Sequence, residues 1–263
     1  MTDRTVPLAG APNTRDVGGL VNRYGRLVRP GRLLRSGALG RLIDADVAVL
    51  SGYRLRQVLD LRHDREIAVA PPDLLPDGAV AVHLPIYDPE HPVFTYVSAV
   101  MLGHDISAYS GLVADGTPAA MRAIYRWFVS GASARTAFAA ALRRVADPAS
   151  LPLLYHCSAG KDRTGWLTAL VLTVLDVDRA VITEDYLLSN ERSATVNEKI
   201  MRAVAARGAE LDHVRPVLEV RPDYLDAAYD EADRVYGGID GYLRAGLGLD
   251  DATLARLRAA LLD

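Results

Sequence analysis

Apolar and polar positions fall into two regimes along the chain. In the first two thirds, short apolar runs of strand length recur at residues 31–36 (GRLLRS), 57–61 (QVLDL), 79–86 (AVAVHLPI) and 151–156 (LPLLYH). Between them stand stretches of helical periodicity at 44–51 and 119–145, the second interrupted near 130–133. This alternation predicts an α/β fold. After Arg163 the pattern is almost wholly helical. Residues 163–175 read as one apolar helix, and 180–207 as a long or kinked one. Residues 222–236 read as an amphipathic helix with proline in its first turn and two glycines after its end. Asp250 is placed to cap a last helix at 253–262. The least regular long stretch, 87–117, reads as a lid or a surface excursion.

Composition narrows the function classes. With 263 residues, half of them hydrophobic, the chain suits a single domain with a sizeable core. A net charge of -3 supplies no sequence-wide basic surface, so a nucleic-acid partner is not expected. Apolar stretches fall short of the roughly 20 residues that cross a bilayer, and the first residues lack the apolar core of a secretory signal. No membrane span and a cytoplasmic setting are the expectation; oligomeric state is not legible. The lone cysteine permits no internal disulfide and no cysteine-rich zinc site. His63, His83, His91, His104 and His213 show no metal-ligand spacing, so neither metal nor other cofactor is expected.

Chemistry concentrates in residues 156–165, HCSAGKDRTG. A buried strand delivers Cys157 to the carboxyl end of the sheet, and five residues separate it from Arg163, where a helix begins. Backbone N–H groups of Ser158, Ala159, Gly160, Lys161 and Asp162 can point inward beside the positive end of that helix and cradle a phosphate dianion. The same surroundings stabilise a thiolate, the form that attacks phosphorus. Arg163 offers a planar fork for two phosphate oxygens as charge spreads over them. Thr164 can hydrogen-bond the sulfur when it leaves, and Gly160 permits a positive φ and a close backbone approach. Lys161 is one of only two lysines against 28 arginines. It is either a second cation for the substrate or a solvated loop residue. The bland alternative for Cys157 is a small buried side chain. By chance, a cysteine followed at the sixth place by Arg and a hydroxyl residue arises on the order of one per cent of the time, before the flanking His and Gly are counted. The five-residue spacing also differs from the four of rhodanese-like sulfur transferases.

HCSAGKDRTG resembles the signature of the atypical bacterial protein tyrosine phosphatases of the mycobacterial protein tyrosine phosphatase B type. NTRDVGGL (13–20), LLRSGAL (33–39), LDLR (59–62), EDYLLSN (184–190) and YGGIDGYL (236–243) extend the likeness over nearly the whole chain; it is weakest at 87–134, where the family carries variable lid helices. The resemblance implies a central, mostly parallel sheet flanked by helices, with a helical lid insertion and a helical C-terminal part. It implies hydrolysis through a phosphocysteine intermediate without metal, Cys157 being the nucleophile and Arg163 the phosphate-binding residue. Lys161 and Asp162 match a Lys-Asp pair that the family associates with phosphotyrosine and phosphoinositide activity.

The ester oxygen needs a proton donor on leaving. Asp88, at the carboxyl end of the 79–86 strand, is favoured over Asp162, which could instead orient Arg163; Asp105 and Asp115 read as lid surface. His156 points away from the thiol's side of the strand and is expected to hydrogen-bond the loop. Arg15 and Asp16, beside Asn13, either brace the loop or belong to an ordinary turn with Gly18 and Gly19. Three functions follow: a phosphatase acting on phosphotyrosine, with phosphoserine and phosphothreonine in reach; a phosphoinositide phosphatase; or a catalytically silent phosphate-binding module. The first needs an aromatic-lined cleft, for which Tyr87, Phe94, Tyr96 and Tyr125 are candidates.

Overall fold

Hydrogen bonding assembles five strands in the order β1-β2-β5-β3-β4. They are β1 (Arg15–Asp16), β2 (Leu33–Ser36), β3 (Gln57–Asp60), β4 (Val80–His83) and β5 (Leu153–His156). All neighbours are parallel except β1 on β2. This computed structural model describes residues 4–102, 116–208 and 210–263. The helices are α1 (Asp44–Gly52), α2 (Asp64–Ala68), α3 (Pro92–Leu102), α4 (Gly116–Ser130), α5 (Ala132–Val145), α6 (Asp162–Val174), α7 (Arg179–Ala205), α8 (Leu211–Leu218), α9 (Pro222–Tyr236), α10 (Ile239–Gly241) and α11 (Asp251–Leu261).

The central strand explains why LPLLYH carries no polar alternation. Every residue of β5 is buried, because helices cover both faces of a parallel sheet. On one face Leu154 joins Leu34, Val58 and Leu50 of α1; on the other Leu153 and Tyr155 join Leu33, Leu59, Trp166 and Leu170. The register pairs His156 with Ser36 of β2 and Asp60 of β3, so these three strands end at one level and the next residue, Cys157, emerges between them.

The α/β expectation holds, and most differences concern boundaries. β4 stops at His83, two residues before Pro85, which has no N–H to continue the ladder. Residues 180–207, expected as a long or kinked helix, form the single helix α7. β1 and α2 carry too few residues to show a period, and α8 holds Pro216, which reads as a helix breaker. The stretch expected to be irregular contains α3. In α4, by contrast, Ala120, Met121, Ile124, Tyr125 and Phe128 are buried and the helix packs along α9, so the second half of the lid segment is core. His104, Asp105 and Asp115 lie outside the described residues. Among the described residues no helix is long and apolar enough to cross a membrane.

Candidate active site

The loop after β5 is shaped from behind. The carbonyl of Ser158 accepts from the backbone N–H of Ala38 at 3.1 Å. The Asn13 side-chain amide donates to the carbonyls of Ala159 and Gly160, both at 3.0 Å, and Arg35 Nη2 donates to Gly160 at 2.9 Å. In a trans peptide the N–H points opposite to the C=O. The N–H groups of Ala159, Gly160 and Lys161 therefore turn to the inner side of the loop, and none has an acceptor among the described residues. Gly160 makes this path possible: its φ is +68°, and a Cβ there would lie 2.4 Å from the Ser36 carbonyl oxygen. Cys157 is 2 % exposed, and α6 starts at Asp162, adding its positive end to the loop.

Arg163, on the first turn of α6, is held by Glu66 of α2, a residue absent from the sequence reading. Arg163 Nη1 donates to Glu66 Oε2 at 2.6 Å and Nη2 to Oε1 at 2.7 Å, while Nη1 also reaches the Leu61 carbonyl at 3.3 Å. Ser158 Oγ donates to Glu66 Oε1 at 2.5 Å, and the His63 backbone N–H to Oε2 at 3.0 Å. Burial works against ionisation of Glu66, yet Arg163 and these hydrogen bonds hold its carboxyl down at about 2. Glu66 is thus charged at any pH of interest, and it holds the arginine above its ordinary value against the effect of burial.

Lys161 and Asp162 pair with each other and make no hydrogen bond to this fork. Lys161 Nζ donates to Asp162 Oδ2 at 2.6 Å and touches the Glu219 carbonyl at 3.5 Å; its side chain is 8 % exposed. The other oxygen, Asp162 Oδ1, accepts from the Tyr125 hydroxyl at 3.0 Å, and Tyr125 lies 2.6 Å from the Tyr186 hydroxyl. Burial, then Asp162, pushes Tyr125 well above the usual tyrosine range, so it stays a donor. Both Asp162 oxygens are engaged, which favours an orienting role over proton transfer. The Thr164 hydroxyl is buried and, among the described residues, has no hydrogen-bond partner.

Behind Cys157, His156 is fully buried with Nδ1 at 3.4 Å from the Cys157 carbonyl oxygen, the loop contact expected of it. Burial lowers its pKa, offset in part by Asp60 and Asp73, which fits a neutral ring that bonds rather than exchanges protons. Asp60, Asp73 and His156 come close enough to face one ion, a juxtaposition no sequence spacing announces. The cation the two carboxylates hold is Arg62, which donates to Asp60 at 2.7 Å and also to Asp73.

The NTRDVGGL block divides. Arg15 Nη1 donates to Asn13 Oδ1 at 2.6 Å, so it supports the loop through Asn13. Asp16 instead accepts from the N–H groups of Gly18 and Gly31 and makes no contact with the loop; its carboxyl, raised by burial, shapes its own turn. Asp185 of α7 anchors the block: Arg4, Arg15 and Arg35 pair with its carboxylate at 2.6, 3.2 and 2.9 Å. Against the burial cost these cations hold Asp185 well below the usual carboxylate range. Asp185→Asn is expected to cost about 3–5 kcal/mol in denaturant unfolding, the scale for breaking a buried pair. The sign with pH follows from the lowered folded value. The ion-pair stability is complete above the ordinary carboxylate range and is lost as pH falls below about 4, so the variant loses part of the parent's acid sensitivity.

Asp88 is half-buried, and its Oδ1 accepts only the Glu90 N–H, at 3.0 Å, among the described residues. The Tyr87 ring packs on His63 at 5.0 Å, and His63 caps α2, which carries Glu66; this sets the Asp88 segment against the element that grips Arg163. Of the four candidate cleft aromatics, Tyr96 and Tyr125 are fully buried and Phe94 nearly so, which leaves Tyr87 alone partly open. Glu66, Arg35 and Asp185 went unread as site residues, although Arg35 and Asp185 stand inside the LLRSGAL and EDYLLSN blocks.

The sequence profile described as the tyrosine phosphatase family matches residues 6–263. The triple specificity protein phosphatase PtpB of Mycobacterium tuberculosis is 35 % identical over 280 residues, covering 97 % of this chain and 98 % of that protein. A tyrosine-protein phosphatase of Nostoc commune is 25 % identical over 233 residues, covering 87 % of this chain and 73 % of its own. Among solved structures, TpbA of P. aeruginosa covers 73 % of this chain and 89 % of that chain at 19 % identity, with a TM-score of 0.29. The chain belongs to the tyrosine phosphatase family and is a cysteine-based phosphatase.

Proposed function

We propose that Cys157 attacks the phosphorus of a phosphotyrosine side chain, that the phosphoryl group passes to sulfur as the tyrosine oxygen leaves with a proton, and that water then releases phosphate and restores the thiolate. The observation that carries this reading is the inward trio of N–H groups at Ala159, Gly160 and Lys161 around a thiol that faces the end of α6 and its Arg163. Arg163 holds equatorial phosphate oxygens, Ser158 helps Glu66 hold Arg163, and Thr164 is free to meet the sulfur as it departs. Asp88 donates the proton to the leaving oxygen and then takes one from water. Among the described residues its carboxylate, unlike that of Asp162, is committed only to a local turn.

A protein substrate is favoured over a phosphoinositide because Lys161, the cation that would read a second phosphate, is spent on Asp162 and Glu219. The test is phosphate release from a phosphotyrosine peptide and from a phosphatidylinositol monophosphate in parallel. Release from the peptide supports this reading. Release from the lipid alone means that Lys161 leaves Asp162 for the substrate, and silence on both revives the binding module. Within the same assay, Asp88→Asn is expected to lower kcat about a hundredfold to a thousandfold, most severely for poor leaving groups. Equal losses across aryl phosphates of differing leaving-group acidity would remove Asp88 from the proton transfer.

A further inference from the structure

Two fully buried guanidiniums, Arg15 and Arg35, converge with Arg4 on the single carboxylate of Asp185. Three cations on one anion leave a surplus of positive charge. Arg4 also donates to the backbone carbonyl of Asp16 and lies near that carboxylate, so the surplus rests on Arg15 and Arg35. Burial and the neighbouring Arg35 pull the Arg15 guanidinium down to about 9 against the pull of Asp185, which still leaves it charged at neutral pH. An uncompensated charge in a protein interior is costly, so such a cluster calls for an anion nearby.

Beyond Asp185, donors of the two arginines go to Ser189 Oγ and to the support of the loop. Arg35 Nη2 reaches the Gly160 carbonyl directly. Arg15 Nη1 reaches Asn13 Oδ1, and the Asn13 amide nitrogen reaches the carbonyls of Ala159 and Gly160. The orientation of that amide is decided by its neighbours: turned over, it would set a donor against a guanidinium and an acceptor against two carbonyls. Asn13 lies in the turn closed by the Thr14 N–H on the Ala11 carbonyl, just before β1, and Arg15 of β1 reaches back to both its backbone and side-chain oxygens.

We propose that Asn13, held by Arg15 and backed by Arg35 and Asp185, is a positioning residue of the phosphate cradle, and that the surplus positive charge behind it is matched by the anions the cradle holds, the Cys157 thiolate and the phosphate dianion. This rests on the reading of the 157–163 loop as a phosphate site. By tying two carbonyls outward, Asn13 aims the Gly160 and Lys161 N–H groups at the phosphate before it arrives, so no reorientation is needed as charge develops.

The experiment measures inorganic phosphate binding by calorimetry to Cys157→Ser chains that carry Asn13, Asn13→Ala or Asn13→Asp. Both substitutions are expected to weaken phosphate binding by about tenfold to a hundredfold. Asn13→Asp keeps the acceptor that Arg15 uses and cancels part of the surplus charge, which offsets the oxygen it sets against two carbonyls, so its thermal midpoint is expected to stay close to that of the Asn13 chain. Lost affinity without lost stability is a pattern that a purely structural asparagine does not produce. Phosphate affinity unchanged in Asn13→Asp overturns the proposal, even if Asn13→Ala fails to fold. A parent chain that binds phosphate and turns over no phosphate ester refutes the catalytic reading and leaves this inference standing.

Discussion

Replacing Cys157 by serine is expected to lower kcat by on the order of 10⁵-fold or more while the protein still folds and binds phosphate. The loop is built to stabilise an anion at this position, with inward N–H groups, the start of α6 and Arg163. Those groups favour an ionised thiol but cannot ionise an alcohol, whose proton no neighbouring base removes: His156 makes its contact with the Cys157 carbonyl and lies on the other side of the strand. Nothing in the cradle's hydrogen bonding passes through the sulfur, so the binding geometry survives the change. The check is single-turnover kinetics with an aryl phosphate beside calorimetry with inorganic phosphate. Acid-quenched parent protein is expected to carry phosphorus on Cys157, and the serine variant none. Turnover by the variant within tenfold of the parent would falsify the thiolate mechanism.

The parts of the site that were legible in the sequence are those joined covalently. Strand, loop and helix from 151 to 175 are contiguous, so the spacing from Cys157 to Arg163 carries its geometry with it, and a buried parallel strand announces itself by an unbroken apolar run. Glu66 has no such signal. It reaches Arg163 across 97 positions because β3 and β5 are neighbours in the sheet and α2 follows β3, a relation set by topology and not by spacing. Arg35, Asp185 and Asn13 meet under the loop for the same reason, arriving from β2, α7 and the segment before β1. The resemblance blocks contained most of these residues without revealing what they do to one another.

Tyr125 shows a different limit. An aromatic residue on an amphipathic helix reads equally as core or as cleft until its neighbours are known, and here the hydroxyl goes to Asp162 from a fully buried ring. The consequence reaches the proposed chemistry: the same contact engages the Asp162 carboxylate, which is the reason the proposed mechanism gives proton transfer to Asp88. Lys161 was open to two readings in the sequence, and its pairing with Asp162 supports neither directly. It ties the loop to α4, through Asp162 and Tyr125, and to the Glu219 carbonyl after α8.

Arg163→Lys is expected to lower kcat/KM by about 10³-fold or more although it keeps the positive charge. A guanidinium has five N–H donors in one plane. Three are committed here: Nη1 to the Leu61 carbonyl and Glu66 Oε2, and Nη2 to Glu66 Oε1. The two that remain, on Nε and Nη2, share one edge of the fork and suit two oxygens of a phosphate, so Glu66 and substrate can bind the same arginine at once. An ammonium group has three donors on a flexible stem and no second edge. Lysine at this position would satisfy Glu66 or the phosphate, and Glu66, ionised throughout, sits closer. The loss should therefore appear in both kcat and phosphate inhibition, measured on aryl phosphate hydrolysis with inorganic phosphate as competitor. A variant within tenfold of the parent in kcat/KM would show that charge alone is enough and that the planar fork is not what the site uses.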